Sequence, residues 1–339
     1  MAADEGSAVV SSANPIPQPA LSQEEREKHP GGQKRFLSLC AFLLLGGAVW
    51  GGSFSQSARG TSSATFLKLP VSARSSGLGD AVTALEGDAA SLAWNPAGLA
   101  GVRGRLALLS RAPYLDGTTD TNGLYSQGLG GGGFGVGVNY FDAGAIDQTE
   151  GGSGATVGSF HPADAAVSAG YGRRVCGWAI GLAGKWVTSR VVQSDSTFAA
   201  DAGVLSPGLW SDRIHLGAAA KNLFGSLQLS DTARPLPVEY SVGAAVRIMP
   251  HWMGTADLKF PRDNAPAAAL GTEGDWSPQK EWTLFARAGW NGTTDGGLGG
   301  LAGSSVGVGI MYSKLTVDYA FSPAGDLGNA QNISLTFSF

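Results

Sequence analysis

The feature that most constrains this chain is an alternating apolar pattern, repeated in stretches of about ten residues, whose oily face can begin and end in tryptophan. In Trp178–Trp186 one face reads Trp178, Ile180, Leu182, Gly184 and Trp186, while Lys185 lies on the other. In Trp282–Trp290 one face reads Trp282, Leu284, Ala286, Ala288 and Trp290, opposite Thr283 and Arg287. Successive side chains of a strand point to opposite faces, so each segment has one oily and one polar side. At about 3.3 Å per residue and a tilt near 40°, such a tryptophan pair brackets roughly 20 Å. That is close to the apolar band of a transmembrane barrel, about 25 Å tall and flanked by aromatic girdles. A soluble sandwich gives tryptophan no reason to sit there, so the pattern favours a barrel.

The same period recurs to the last residue. Ile333, Leu335, Phe337 and Phe339 alternate with Ser334, Thr336 and Ser338, and Val238 to Ile248 alternates likewise. The pattern predicts strands over 104–112, 122–130, 132–141, 164–174, 176–190, 196–206, 212–222, 236–248, 251–260, 267–275, 281–291, 304–313, 314–322 and 330–339. The fold class is therefore all-β, a transmembrane antiparallel β-barrel of about fourteen strands, an even number as closure requires. Tight turns are expected near Gly131, Val175, Pro250 and Ser313, and longer links at 113–121, 142–163, 223–235, 292–303 and 323–329. Short turns at one end and longer loops at the other are the rhythm of outer-membrane barrels.

Composition agrees. Of 339 residues 52 are glycine and only 15 % are charged, below the roughly 25 % usual for a soluble domain. A net charge of −4 without a basic stripe gives nothing for nucleic acid to bind. Phe36–Gly52 is an apolar run behind Lys34-Arg35 and ahead of small residues, the layout of a secretory signal peptide, with a single membrane anchor as the alternative. Residues 1–58 are thus read as an N-terminal extension plus signal peptide, cleaved near Ser55 or Ala58, and the expected location is the cell outer membrane after export. Cys40 falls inside the apolar run, which leaves Cys176 alone and rules out a disulfide within the mature chain.

Residues 59–103 break the alternation. Ala73 to Leu99 is rich in Ala and Gly with short helical character; Asp80 and Asp88 sit where helical turns begin, and Asn95-Pro96 ends one. Pieces this short do not stand alone. They are expected to fold inside the lumen of the 104–339 barrel as a hatch, or else to form a periplasmic tail. Thr65–Val71, Ala73-Arg74, Gly77–Ala81, Asp88–Ser91 and Trp94–Leu99, with Asn222–Gly225, Arg287–Trp290, Val317–Phe321 and the terminal Phe339, resemble PorV/PorQ-type outer-membrane proteins, relatives of FadL-type fatty acid transporters. The resemblance spans essentially 61–339. It implies a fourteen-stranded barrel with an N-terminal hatch, and either passage of apolar small molecules or a part in protein secretion and surface attachment. A scaffold that binds secreted proteins in a type IX-like system, without transporting anything, is the alternative.

The chemical motifs are weak. Gly303–Gly307 matches G-x-S-x-G, but a strand follows where a hydrolase needs a helix. The glycines of Gly128–Gly137 precede no helix of the kind a nucleotide loop needs. His29, His161, His215 and His251 are scattered, so neither a metal nor a cofactor is expected, and no catalytic residue is assigned. The candidate functional residues are instead Arg74, Asp80, Asp88, Asn95 and Pro96 of the hatch, and the mid-strand charges Lys185, Asp201, Lys221, Arg247, Asp257, Lys259, Arg287 and Asp318. Lys or Arg facing lipid at mid-depth costs about 2–4 kcal/mol, and parity points these charges to the lumen. There they either pair among themselves or hold the hatch through Arg74, Asp80 or Asp88. Expected partners are membrane lipids, barrel-assembly machinery engaging Phe339, and hydrophobic small molecules or secreted proteins.

Overall fold

The computed structural model describes residues 54–114, 117–149, 156–191, 193–229, 232–295, 301–323 and 328–339. The expected signal peptide at 36–52 lies outside them. In chain order the strands are β1 (Arg105–Pro113), β2 (Thr119–Leu129), β3 (Gly132–Asp142), β4 (Ile146–Thr149), β5 (Thr156–Phe160), β6 (Ala163–Val175), β7 (Trp178–Arg190), β8 (Ser194–Leu205) and β9 (Ile214–Leu223). They continue with β10 (Ser226–Leu227), β11 (Arg234–Pro235), β12 (Glu239–Met249), β13 (Trp252–Pro261), β14 (Ala267–Gln279), β15 (Trp282–Asn291), β16 (Ser304–Tyr312), β17 (Leu315–Pro323) and β18 (Asn329–Ser338). Fourteen of them close one barrel, each pairing with its neighbour in sequence order and β1 meeting β18. Every pair is antiparallel, and the seam runs from Leu106↔Ser338 to Arg111↔Ile333.

All fourteen expected crossings are present, with shifted ends. The long link after β3 differs from its expectation: it contains the hairpin β4–β5, which pairs only with itself. Its sequence is polar and glycine-rich, so no apolar face announces it. The link after β9 holds a second small ladder, β10–β11.

Side-chain parity puts the oily faces outside. Leu182 is 69 % exposed and Leu109 63 %, with Val136, Val167, Leu258 and Val308 also exposed around the wall. A continuous belt of this kind is rare on a monomeric soluble protein and marks a surface that meets something apolar. Aromatic side chains flank it, with Tyr171, Trp252, Trp276 and Phe337 near the end where the wall strands begin and finish, and Trp186 and Phe198 near the other. The first end carries the short connections, such as the two-residue turn Cys176-Gly177, where φ is +50° and +84° as such hairpins require. We call it the short-turn end and the opposite one the long-link end.

Residues 54–103 carry short helices and turns, among them the 3-10 helices Thr65–Lys68 and Pro96–Gly101 and the α-helix Ala73–Gly77. Leu78, Leu85, Leu92, Trp94 and Leu99 form an apolar core with Leu108, Leu124, Ala183 and Ala245 of the wall. The path runs from end to end. Phe54 N–H donates to the Arg262 carbonyl (2.9 Å) and Ser63 N–H to that of Pro235 (2.9 Å), both at the long-link end. Residues 101–104 then leave at the short-turn end, where Gly128 N–H donates to the Gly104 carbonyl at 2.8 Å.

Candidate functional site in the barrel lumen

The segment that fills the lumen is seated by three kinds of contact. The first is backbone against glycine. A Cβ on Gly289 would lie 2.1 Å from the Gly79 nitrogen, and one on Gly181 2.2 Å from the Pro96 carbonyl carbon. A wall with ordinary side chains there would push the segment out of the barrel.

The second kind is polar backbone met by inward side chains. Asp257 Oδ2 accepts from Val82 N–H (2.9 Å), Thr83 N–H (3.0 Å) and Thr83 Oγ1–H (2.7 Å). Asn95, fully buried, donates through Nδ2 to the Thr83 carbonyl at 2.8 Å and accepts from Ala97 N–H at 3.1 Å. Pro96 then opens the helix Pro96–Gly101 in the first position, where a missing N–H costs nothing. Ser72 caps the helix Ala73–Gly77 by a reciprocal exchange with Ser75.

The third kind is ionic. Arg74 grips Glu273 with two hydrogen bonds, Nε to Oε2 at 2.9 Å and Nη2 to Oε1 at 2.8 Å, and reaches Asp88 with Nη1 at 3.0 Å. Glu273 also accepts from Arg287 Nε at 2.6 Å, and Arg287 Nη1 donates to Asp318 at 2.6 Å. The result is one chain of alternating charge, Asp88–Arg74–Glu273–Arg287–Asp318, crossing from segment to wall. Burial pulls the Arg74 guanidinium down, and the carboxylates of Glu273 and Asp88 more than reverse this, so its pKa ends above the ordinary arginine value. Elsewhere Lys259 meets Asp80 at 2.6 Å and Arg174 meets Glu86 at 2.5 Å. Lys185 pairs with Asp201 at 2.7 Å, and Lys221 with Glu239 at 2.9 Å.

Of the residues singled out from sequence, Arg74, Asp80 and Asp88 thus lie in ion pairs, and Asn95 and Pro96 in backbone contacts. Lys185, Asp201, Asp257, Lys259, Arg287 and Asp318 are buried facing inward. Arg247 differs: it is exposed, two residues from the end of β12, and enters no ion pair among the described residues. Inward parity there carries a side chain past the rim. Glu273, on which the network turns, was missed, although it sits opposite Arg287 in the β14–β15 register. Thr83 and Lys68, the latter paired with Asp263 at 2.6 Å, carried no sequence signal.

Among the described residues two cavities bear on the site. One of about 50 Å³ lies between segment and wall, beside Leu92, Trp94, Asn122, Asn139, Lys185 and Lys221, with room for one or two waters. The other, about 350 Å³, opens at the long-link end and is lined by Phe66, Leu69, Tyr114, Phe141, Thr65 and Asp164, among others. Phe66 and Phe141 stack there with ring centres 6.4 Å apart. Burial first, then Asp120 and Asp80, hold the Tyr114 hydroxyl above its usual pKa, so it stays neutral in this mouth.

The sequence matches no protein-family model and no curated protein. Solved structures do match. The toluene transporter TodX of P. putida aligns at 13 % identity and a TM-score of 0.55, over 80 % of this chain and 98 % of that one. The toluene transporter TbuX of Ralstonia pickettii gives 13 % and 0.53 over 78 % and 97 %, and a FadL homologue of Pseudomonas aeruginosa 12 % and 0.53 over 80 % and 99 %. At these identities the likeness is one of fold alone, that of the closed antiparallel barrel described above.

Proposed function

We propose that this protein is an outer-membrane channel for apolar small molecules, and that residues 59–103 are its plug. The observation that carries the reading is a largely apolar mouth of about 350 Å³ above a cavity of about 50 Å³ between the segment and the wall. A monoaromatic molecule fits the first space and not the second, so the mouth collects and the plug decides passage. The exposed aliphatic belt suits a membrane setting, and the barrels of matching fold include proteins described as a toluene transporter and a monoaromatic hydrocarbon channel. Uptake of labelled toluene into vesicles carrying the purified chain should exceed that of empty vesicles several-fold. Equal rates would refute the channel.

A second reading is a component of protein secretion or surface attachment, of the PorV/PorQ type. It is supported by the opening block Thr65–Leu99 and by the hairpin β4–β5, whose exposed Ile146 and Val157 lie off the wall at the long-link end. Recovery of secreted proteins with the purified chain, lost on deleting 146–160, would favour it over transport.

A further inference from the structure

The short-turn end carries a pattern that the channel reading does not use. Arg103, Arg105, Arg173, Arg213, Arg247, Lys280 and Lys314 are all exposed there, and none makes an ion pair among the described residues. Two of the acids at this end are already engaged, Glu86 by Arg174 and Asp275 by His251. Only Asp212 and Glu281 remain to offset seven cations. The arrangement is as telling as the surplus. In barrel order the cations fall at the start of β1, then at the β16–β17, β14–β15, β12–β13, β8–β9 and β6–β7 connections, and the β2–β3 turn alone has none. They form a collar around nearly the whole circumference. At the other end Lys68 is held by Asp263, Arg59 by Asn264 and Arg234 by the Gly60 carbonyl, which leaves Arg111, Arg190 and Arg262 without an ion pair among the described residues, a sparser set than the seven of the collar.

We infer that this collar binds the anionic phospholipid headgroups of the leaflet on the short-turn side. The inference rests on the membrane-inserted reading of the barrel. Depth and direction support it. Arg173 follows Tyr171 on the outward face of β6, and Arg105 precedes Ala107 and Leu109 on that of β1, so both stand one step beyond the oily belt. Arginine at that level keeps its stem on apolar surface and its head among phosphates. A protein partner docks on one patch, whereas a ring of charge matches the one anionic surface that surrounds a barrel on all sides. Each cation held near an anionic leaflet strengthens attraction roughly fivefold at low salt.

The test uses the purified full chain in vesicles that mix brominated phosphatidylglycerol or brominated phosphatidylcholine with unlabelled lipid. Trp252, Trp276 and Trp282 lie beside the collar, and in a Trp186→Phe background, which removes the outward Trp186 of the other end, they report quenching by bromine on the collar side. Expected is stronger quenching by brominated phosphatidylglycerol, with the preference lost near 1 M salt, where screening acts over about 3 Å. R105Q/R173Q should reduce the preference by up to about twenty-five-fold, and K280Q/K314Q, which touches turns only, should reduce it too. R111Q, at the other end of β1, should leave it unchanged. Equal quenching by the two lipids overturns the proposal, as does a preference untouched by both double variants, or an acidic protein captured where no lipid preference exists. Quenching by neither lipid means that the barrel has not inserted, which sinks the membrane reading and the collar together. Quenching by both equally sinks the collar alone.

Discussion

At the scale of single residues, the seat of the plug depends on groups of two opposite kinds, those that must be absent and those that must be charged. Gly289 is of the first kind. An alanine there puts a carbon 2.1 Å from the Gly79 nitrogen, and forced overpacking costs about 1–3 kcal/mol. Gly289→Ala should therefore leave the barrel heat-modifiable on a gel while residues 54–103 become several-fold more sensitive to protease in detergent. A protease pattern identical to the parent would show that the wall gives way instead. Glu273 is of the second kind. It is the shared acceptor of Arg74 and Arg287, so neutralising it leaves two enclosed guanidiniums short of a counter-charge, a loss of about 3–5 kcal/mol in comparable buried pairs. Glu273→Gln should loosen the same segment, and more strongly than Arg247→Ala, whose side chain lies in solvent at the rim. Equal effects of the two would mean that the charge chain does not hold the plug.

At the scale of elements, the end-to-end path of the segment makes a topological prediction. Thr61 is exposed near the long-link end, where Arg234 reaches the neighbouring Gly60 carbonyl, and Cys176 is exposed in the β6–β7 turn at the opposite end. In intact cells a bulky polymer-linked maleimide should label Thr61→Cys, made in a Cys176→Ser background, and should label native Cys176 only after the outer membrane is opened. Labelling of Cys176 in unbroken cells would invert the barrel. The fourteen crossings were legible in the sequence because each repeats one demand: an oily outer face at period two, cut by glycine or a polar turn. The hairpin β4–β5 answers no such demand, since both its faces are exposed, and in the sequence it shows only as part of the longer link 142–163. The helical character of Ala73–Leu99 was legible too, yet its partners were not. They are wall glycines and backbone groups distant in sequence, which leave no pattern that a single chain displays. Inward charges were visible as a class, but which charge meets which depends on stagger between strands, and so Glu273 escaped notice.

At the scale of the whole molecule, the number of strands sets how much filling the lumen needs. Eight strands close a barrel that side chains can fill, and sixteen to eighteen leave an open aqueous channel. Fourteen lie between, with more room than inward side chains can occupy. Here the added filling is the chain's own N-terminal segment, which brings Leu78, Leu85, Leu92, Trp94 and Leu99 into a core shared with the wall. The cavity beside it, about 50 Å³, admits water and is too small for a hydrocarbon. Passage then requires that part of the segment move, and the groups that resist movement are those just named. Deleting residues 64–99 should give a barrel whose ionic conductance in a planar bilayer is at least about tenfold that of the intact chain, because fourteen strands without filling approach a porin. Glu273→Gln, which keeps the full chain, should show brief openings of intermediate size. If both variants conduct no better than the parent, the wall narrows by itself and the segment is not what closes it.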